Sequence, residues 1–86
     1  MGESAEARMK RLAMRSGRRG IKEMDLILGA YARDRLAAMD EDALQLYDAM
    51  LSENDQDLYL WVTGQATPPH RFAGLIADIA AHARAA

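Results

Sequence analysis

Residues 21–33 read Ile21-Lys22-Glu23-Met24-Asp25-Leu26-Ile27-Leu28-Gly29-Ala30-Tyr31-Ala32-Arg33, and this stretch decides the fold. At 100° per residue Ile21, Met24, Ile27, Leu28 and Tyr31 fall within one wide arc, while Leu26 and Ala30 lie outside it. A helix so nearly apolar all round is either the centre of a bundle or partly covered by another protein.

Working outward, helical spacing recurs on both sides. Ser4 to Ser16 forms a first helix with Ala5, Met9, Leu12, Ala13 and Ser16 on one face, stopped by Gly17. Asp40-Glu41-Asp42 places three carboxylates at the positive end of a third helix, whose inner stripe is Ala43, Leu44, Tyr47, Met50 and Leu51. Asn54 caps a fourth helix with Asp57 at its third position, carrying Leu58, Trp61 and Val62 to a stop at Gly64. Thr67-Pro68 then opens a fifth, with Phe72, Leu75, Ile76, Ile79 and Ala83 at helical spacing. β-branched residues are too sparse for a sheet, with one Val and four Ile. The expectation is an all-α, five-helix bundle forming a single domain over residues 1–86, frayed at both ends.

Composition narrows the chemistry. Eighty-six residues, half of them apolar, are enough for one small domain. Without cysteine there is no disulfide framework, thiolate nucleophile or Cys-ligated metal. His70 and His82 stand twelve apart, not the three or four that align two ligands on one helix face, so no metal site is expected. No nucleophile–base set or phosphate-cradling loop is recognisable, and Glu23 lacks a second titrating group beside it, so no catalytic residue is assigned and an enzyme is not expected. No run of 18 apolar residues exists, and the acidic start Met1-Gly2-Glu3-Ser4-Ala5-Glu6 is unlike a signal peptide, so no membrane insertion is expected.

Charge is polarised although the net is only −2. Residues 8–22 carry seven cations (Arg8, Lys10, Arg11, Arg15, Arg18, Arg19, Lys22) and no anion, while residues 36–86 carry eight acids against two arginines. Three readings stand for that basic strip: a solvated helix face, a phosphate-binding surface of a small nucleic-acid-binding or regulatory protein, or a surface that meets an acidic protein. Net negative charge and the lack of a helix-turn-helix pattern weigh against nucleic acid.

Inside the strip, Arg18-Arg19-Gly20-Ile21-Lys22-Glu23 sets a glycine between arginines and a carboxylate at a helix start. Gly20 can serve as an N-cap with Glu23 reaching back as in a capping box. Alternatively, a flat glycine surface lets another backbone approach, with Arg19 and Glu23 as polar anchors.

Arg-Gly-x-x-Glu at residues 19–23, followed by Asn54-Asp55-Gln56-Asp57-Leu58-Tyr59-Leu60-Trp61 and a Gly64…Pro68 break, resembles the succinate dehydrogenase assembly factors, also called flavinators. That resemblance implies a helical bundle that binds the flavoprotein subunit of succinate dehydrogenase, or of fumarate reductase, and promotes covalent attachment of FAD to it. It further implies that the bond joins a histidine of the partner to the flavin 8α-methyl carbon, so neither His70 nor His82 is that histidine, and that this chain itself holds no FAD stably. By the same resemblance Gly20 permits close approach, Arg19 and Glu23 make directional contacts, and Arg15, Arg18 and Lys22 assist docking. Asp25 extends the surface, and Asp57 and Trp61 match the second motif. For Trp61 a place in or at the edge of the core suits a helical inner face better than a flavin stack. Eukaryotic members of the family bear a targeting segment, and the start of this chain suggests instead a bacterial cytoplasmic member.

Overall fold

A computed structural model describes residues 2–85. Within them the helices are α1 (Ala5–Ser16), α2 (Lys22–Arg35), α3 (Glu41–Met50), α4 (Asp55–Val62) and α5 (Ala73–Ala85), with single 3₁₀ turns at Leu36–Ala38 and His70–Phe72. No strand occurs among the described residues, so the all-α five-helix expectation holds. Helix α2 packs against α1, α4 and α5, which gives the apolar stretch its central place. Its Met24, Leu28, Tyr31 and Ala32 are buried with Leu12 of α1, Tyr47 and Met50 of α3, Leu58 and Val62 of α4, and Ile76 and Ile79 of α5. Helix α2 passes close to the end of α1 at Gly29, where a Cβ would lie 3.9 Å from the Gly17 Cα, an ordinary van der Waals distance.

The helix ends follow their capping residues in three cases. Ser4 Oγ accepts from the Ala7 N–H at 3.0 Å, Asp40 Oδ1 from Ala43 at 2.8 Å, and Asn54 Oδ1 from Gln56 at 2.8 Å. Gly64 adopts φ +80°, the left-handed conformation that ends α4 at little cost for glycine.

Three expectations fail. The N-cap of α2 is Ile21, not Gly20, which puts Glu23 at the second helical position, where the capping-box geometry is not available. Helix α5 starts at Ala73 rather than at Pro68, and Phe72 lies in the preceding 3₁₀ turn. The reason is local: Thr67 and Pro68 each precede a proline, whose ring disfavours helical backbone in the residue before it. Helix α2 also runs two residues past Arg33, since Arg33 and Arg35 suit the negative end of its dipole. At the termini Glu3 accepts from Arg11 and Ala85 is helical, while positions 1 and 86, where fraying was also expected, lie outside the described residues.

Candidate functional site

The basic run folds largely onto carboxylates of its own chain. Arg8 pairs with Glu41 at 2.7 Å, and Arg15 with Asp48 at 2.7 Å. Arg11 bridges Glu3 at 2.8 Å and Asp48 at 2.9 Å. The hydrogen bonds from Arg11 hold the Asp48 carboxyl below the ordinary aspartate range, and those from Arg8 and Gln45 do the same for Glu41. These pairs pin α1 along α3. Lys10, Arg18 and Lys22 form no ion pair among the described residues and are exposed.

Arg19 turns inward, contrary to the expectation that its side chain is presented to a partner. Its Nε donates to Asp55 Oδ1 at 2.7 Å, Nη1 to the Leu51 carbonyl at 2.9 Å and Nη2 to the Glu53 carbonyl at 3.3 Å, leaving only 9% of the side chain exposed. A guanidinium is the one side chain whose fixed fork can satisfy a carboxylate and two carbonyls together. It sits where α3 ends and α4 begins, so it meets the unpaired carbonyls of one helix terminus and an acid on the first residue of the next. The loop backbone is fixed from both sides: the Arg19 N–H donates to Asp25 and the Gly20 N–H to Asp55 Oδ2.

Gly20 therefore has a reason within the chain. A Cβ at this position would stand 3.0 Å from Asp55 Oδ2, against the carboxylate that holds its own N–H. The residue is nonetheless exposed, as are Arg18, Lys22 and Glu23. Glu23 makes no ion pair or side-chain hydrogen bond among the described residues, so its carboxylate stands free at the positive end of α2. What results is a corner whose inner side is locked by Arg19, Asp25 and Asp55 and whose outer side offers a flat glycine, two free cations and a free carboxylate.

The two motifs meet through Asp55, the residue of α4 that reaches the Arg19–Gly20 loop. Asp57 is exposed and unpaired among the described residues. Trp61 lies six positions beyond Asp55, about 9 Å along the helix axis, and packs half-buried against Phe72 with ring centroids 6.3 Å apart. It belongs to the edge of the core. Asp25 spends an oxygen on the loop, and Arg15 faces α3, where it also donates to Ser52 Oγ at 3.3 Å. His82, in the last turn of α5, has only 12% of its side chain exposed, with Nε2 2.8 Å from Asp34 Oδ2 and its ring edge-on to Tyr31.

The fold and this corner define a class: a small helical scaffold that carries one rigid, charged projection, and no group of His, Asp or Glu among the described residues is arranged to hold a metal ion. A family model described as flavinator of succinate dehydrogenase matches residues 10–83, and this chain belongs to that family. It is 35% identical over 85 residues to a mitochondrial succinate dehydrogenase assembly factor 2 of Cryptococcus neoformans, covering 96% of this chain and 49% of that one. To the protein of the same name in Danio rerio it is 34% identical over 80 residues, covering 91% and 51%. The Aspergillus terreus protein is 45% identical over 65 residues, covering 76% and 22%. The chain thus spans about half the length of these curated relatives, or less. All three are named mitochondrial and come from fungi and zebrafish, which overturns the expectation of a bacterial cytoplasmic protein.

Proposed function

We propose that this chain binds the flavoprotein subunit of succinate dehydrogenase, or of the related fumarate reductase, and promotes covalent attachment of FAD to it. The observation that carries this reading is the division of labour in the corner. Arg19 and Asp55 face inward and fix the loop, while Gly20, Lys22 and Glu23 stay exposed on its outer side, without an ion-pair partner among the described residues. A rigid, partly charged projection of this kind is suited to recognising a second protein, because little ordering remains to oppose binding.

Action by binding alone is sufficient. Joining a side chain of the flavoprotein to its flavin requires the two to be held in line, and alignment of reacting groups lowers such a barrier by several kcal/mol. A partner with higher affinity for the aligned domain arrangement populates that arrangement without taking part in bond making. FAD belongs to the flavoprotein in this reading. The half-buried packing of the Trp61 indole against Phe72 supports a core-edge role for this residue in that reading.

The phosphate-binding alternative loses ground with the pairing of Arg8, Arg11, Arg15 and Arg19 to carboxylates of the same chain. The three remaining cations of the strip, Lys10, Arg18 and Lys22, support only a shallow salt dependence, far from the roughly six or more phosphate contacts of a duplex-binding protein.

Co-expression of the flavoprotein subunit with this chain, in cells that lack their own factor, tests the proposal through flavin fluorescence of the denatured subunit. The unaltered chain is expected to restore tethered flavin and Glu23→Ala to lose it with helical CD and melting unchanged. Restoration by Glu23→Ala to the level of the unaltered chain removes Glu23 from the docking surface. No gain with the unaltered chain removes the proposal.

A further inference from the structure

The outer face of α1 has a composition that the corner itself does not explain. Met14 is 52% exposed, one of the two large apolar side chains so exposed among the described residues. It lies one turn from Lys10 and four residues before Arg18, and these residues line a single shallow hollow with Ala7, Arg11 and Arg15. The guanidinium groups of Arg11 and Arg15 are committed to Asp48, so their alkyl stems form the side of the hollow that faces α3. Lys10 and Arg18 have no carboxylate among the described residues. The hollow is apolar at its centre and carries two uncompensated positive charges, one on each side of Met14 along the chain.

We propose that this face is a second docking surface for the flavoprotein partner, and that it receives an apolar side chain bracketed by carboxylates. The inference rests on the reading under Proposed function and extends it, since Arg18 belongs both to this hollow and to the Arg18–Glu23 corner. Charge complementarity selects the occupant. An anionic membrane would need a broad apolar face to enter, and here Met14 and Ala7 stand alone among cations. A nucleic acid would find two free cations and an apolar centre where a run of phosphates needs several cations. An acidic protein segment with one apolar residue satisfies both features of the hollow at once, its carboxylates guiding the encounter and its apolar residue excluding water over Met14.

Titration of the purified flavoprotein subunit with this chain, read as a dissociation constant at low and high salt, tests the assignment. Met14→Asp and Lys10→Glu are each expected to weaken binding by about tenfold, the latter mostly at low salt, with melting temperatures unchanged because both side chains are exposed. In parallel, benzoylphenylalanine in place of Met14 is expected to crosslink to a flavoprotein peptide that carries Asp or Glu beside an apolar residue. Binding of both charge variants within twofold of the unaltered chain, or a crosslink to a peptide without acids, overturns the inference while leaving the corner intact. Sedimentation with phosphatidylserine vesicles that is lost in Met14→Asp, with flavoprotein affinity unchanged, assigns the face to a membrane and overturns it as well. If the unaltered chain fails to bind the flavoprotein at all, the reading of function fails first and this inference goes with it.

Discussion

Arg19 and Asp55 stand 36 residues apart in the chain and meet at 2.7 Å, with 9% and 19% of their side chains exposed. Asp55 uses both oxygens in the contact, one for the guanidinium and one for the neighbouring Gly20 N–H. Arg19 thus supports from the inner side the loop that carries Gly20, while the carboxylate of Glu23 is exposed on the outer side.

Removing the guanidinium leaves Asp55 Oδ1 and two carbonyls without their donor in a largely buried setting. Arg19→Ala is expected to lower the unfolding free energy by about 2 kcal/mol, below the 3–5 kcal/mol of a fully buried pair because some water reaches Asp55. Arg19→Lys should recover less than half of this, since an ammonium cannot span three acceptors in one plane. Urea denaturation of the three proteins measures both. Equal stability of the lysine variant and the parent would show that charge alone matters.

Gly20 offers a sharper test because its constraint has an identified source. A methyl group at this position meets Asp55 Oδ2 at 3.0 Å, so Gly20→Ala is expected to cost about 1 kcal/mol in the parent and close to nothing in an Asp55→Ala background. The double-mutant cycle is read by thermal or chemical unfolding. The same cost in both backgrounds would place the requirement for glycine elsewhere, in the approach of a partner.

Much of the fold was legible because it depends on local signals. Ser4, Asp40 and Asn54 cap helices by interactions spanning two or three residues, and the arc of Met24, Leu28 and Tyr31 in residues 21–33 marks the central helix. The site was legible as a motif but not as a mechanism. Arg8, Arg11, Arg15 and Arg19 looked like an uncompensated strip, since their counter-charges on α3 and α4 lie 33 to 37 residues away. The excess of acids over residues 40–57 was the available signal, yet periodicity does not say which acid meets which arginine. The start of α5 was misplaced for a different reason: two successive prolines outweigh the capping residue in front of them.

The α1–α3 ion pairs give stability a defined dependence on pH. Asp48, Glu41 and Glu3 are held below their ordinary values by hydrogen bonds from Arg11, Arg8 and Arg11 respectively. A carboxyl depressed in the folded state contributes stability above its unfolded value and loses it as pH falls through the folded one. With reference values of 3.8 for Asp48 and 4.5 for the glutamates, stability should be flat at neutral pH and fall once the pH drops below that range. Asp48→Asn is expected to cost stability at pH 7 and progressively less as the pH falls from the ordinary aspartate value of 3.8 toward pH 2, as the parent's own Asp48 takes up its proton. Melting curves across this span check the sign, and an equal cost at both ends would show that Asp48 acts through packing rather than charge.

Ser16, the one buried residue of polar type among the described residues, allows a prediction in which two deletions of a single oxygen from the same hydrogen bond differ in cost. Its Oγ lies 2.6 Å from the Tyr47 hydroxyl and donates to the Leu12 carbonyl at 2.7 Å, and both side chains are buried. In Tyr47→Phe the serine keeps its bond to Leu12, so nothing is left unpaired, and the cost should be about 1 kcal/mol or less. Ser16→Ala instead strands the Tyr47 hydroxyl in a setting where burial already raises its pKa, and an orphaned buried polar group costs about 1–3 kcal/mol. Adding Tyr47→Phe to Ser16→Ala removes the stranded hydroxyl and should return part of that loss, so the double variant is expected to be more stable than Ser16→Ala alone. Equilibrium unfolding of the four proteins decides the matter; strictly additive losses would mean that water reaches the tyrosine hydroxyl and that the α1–α3 seam is not sealed there.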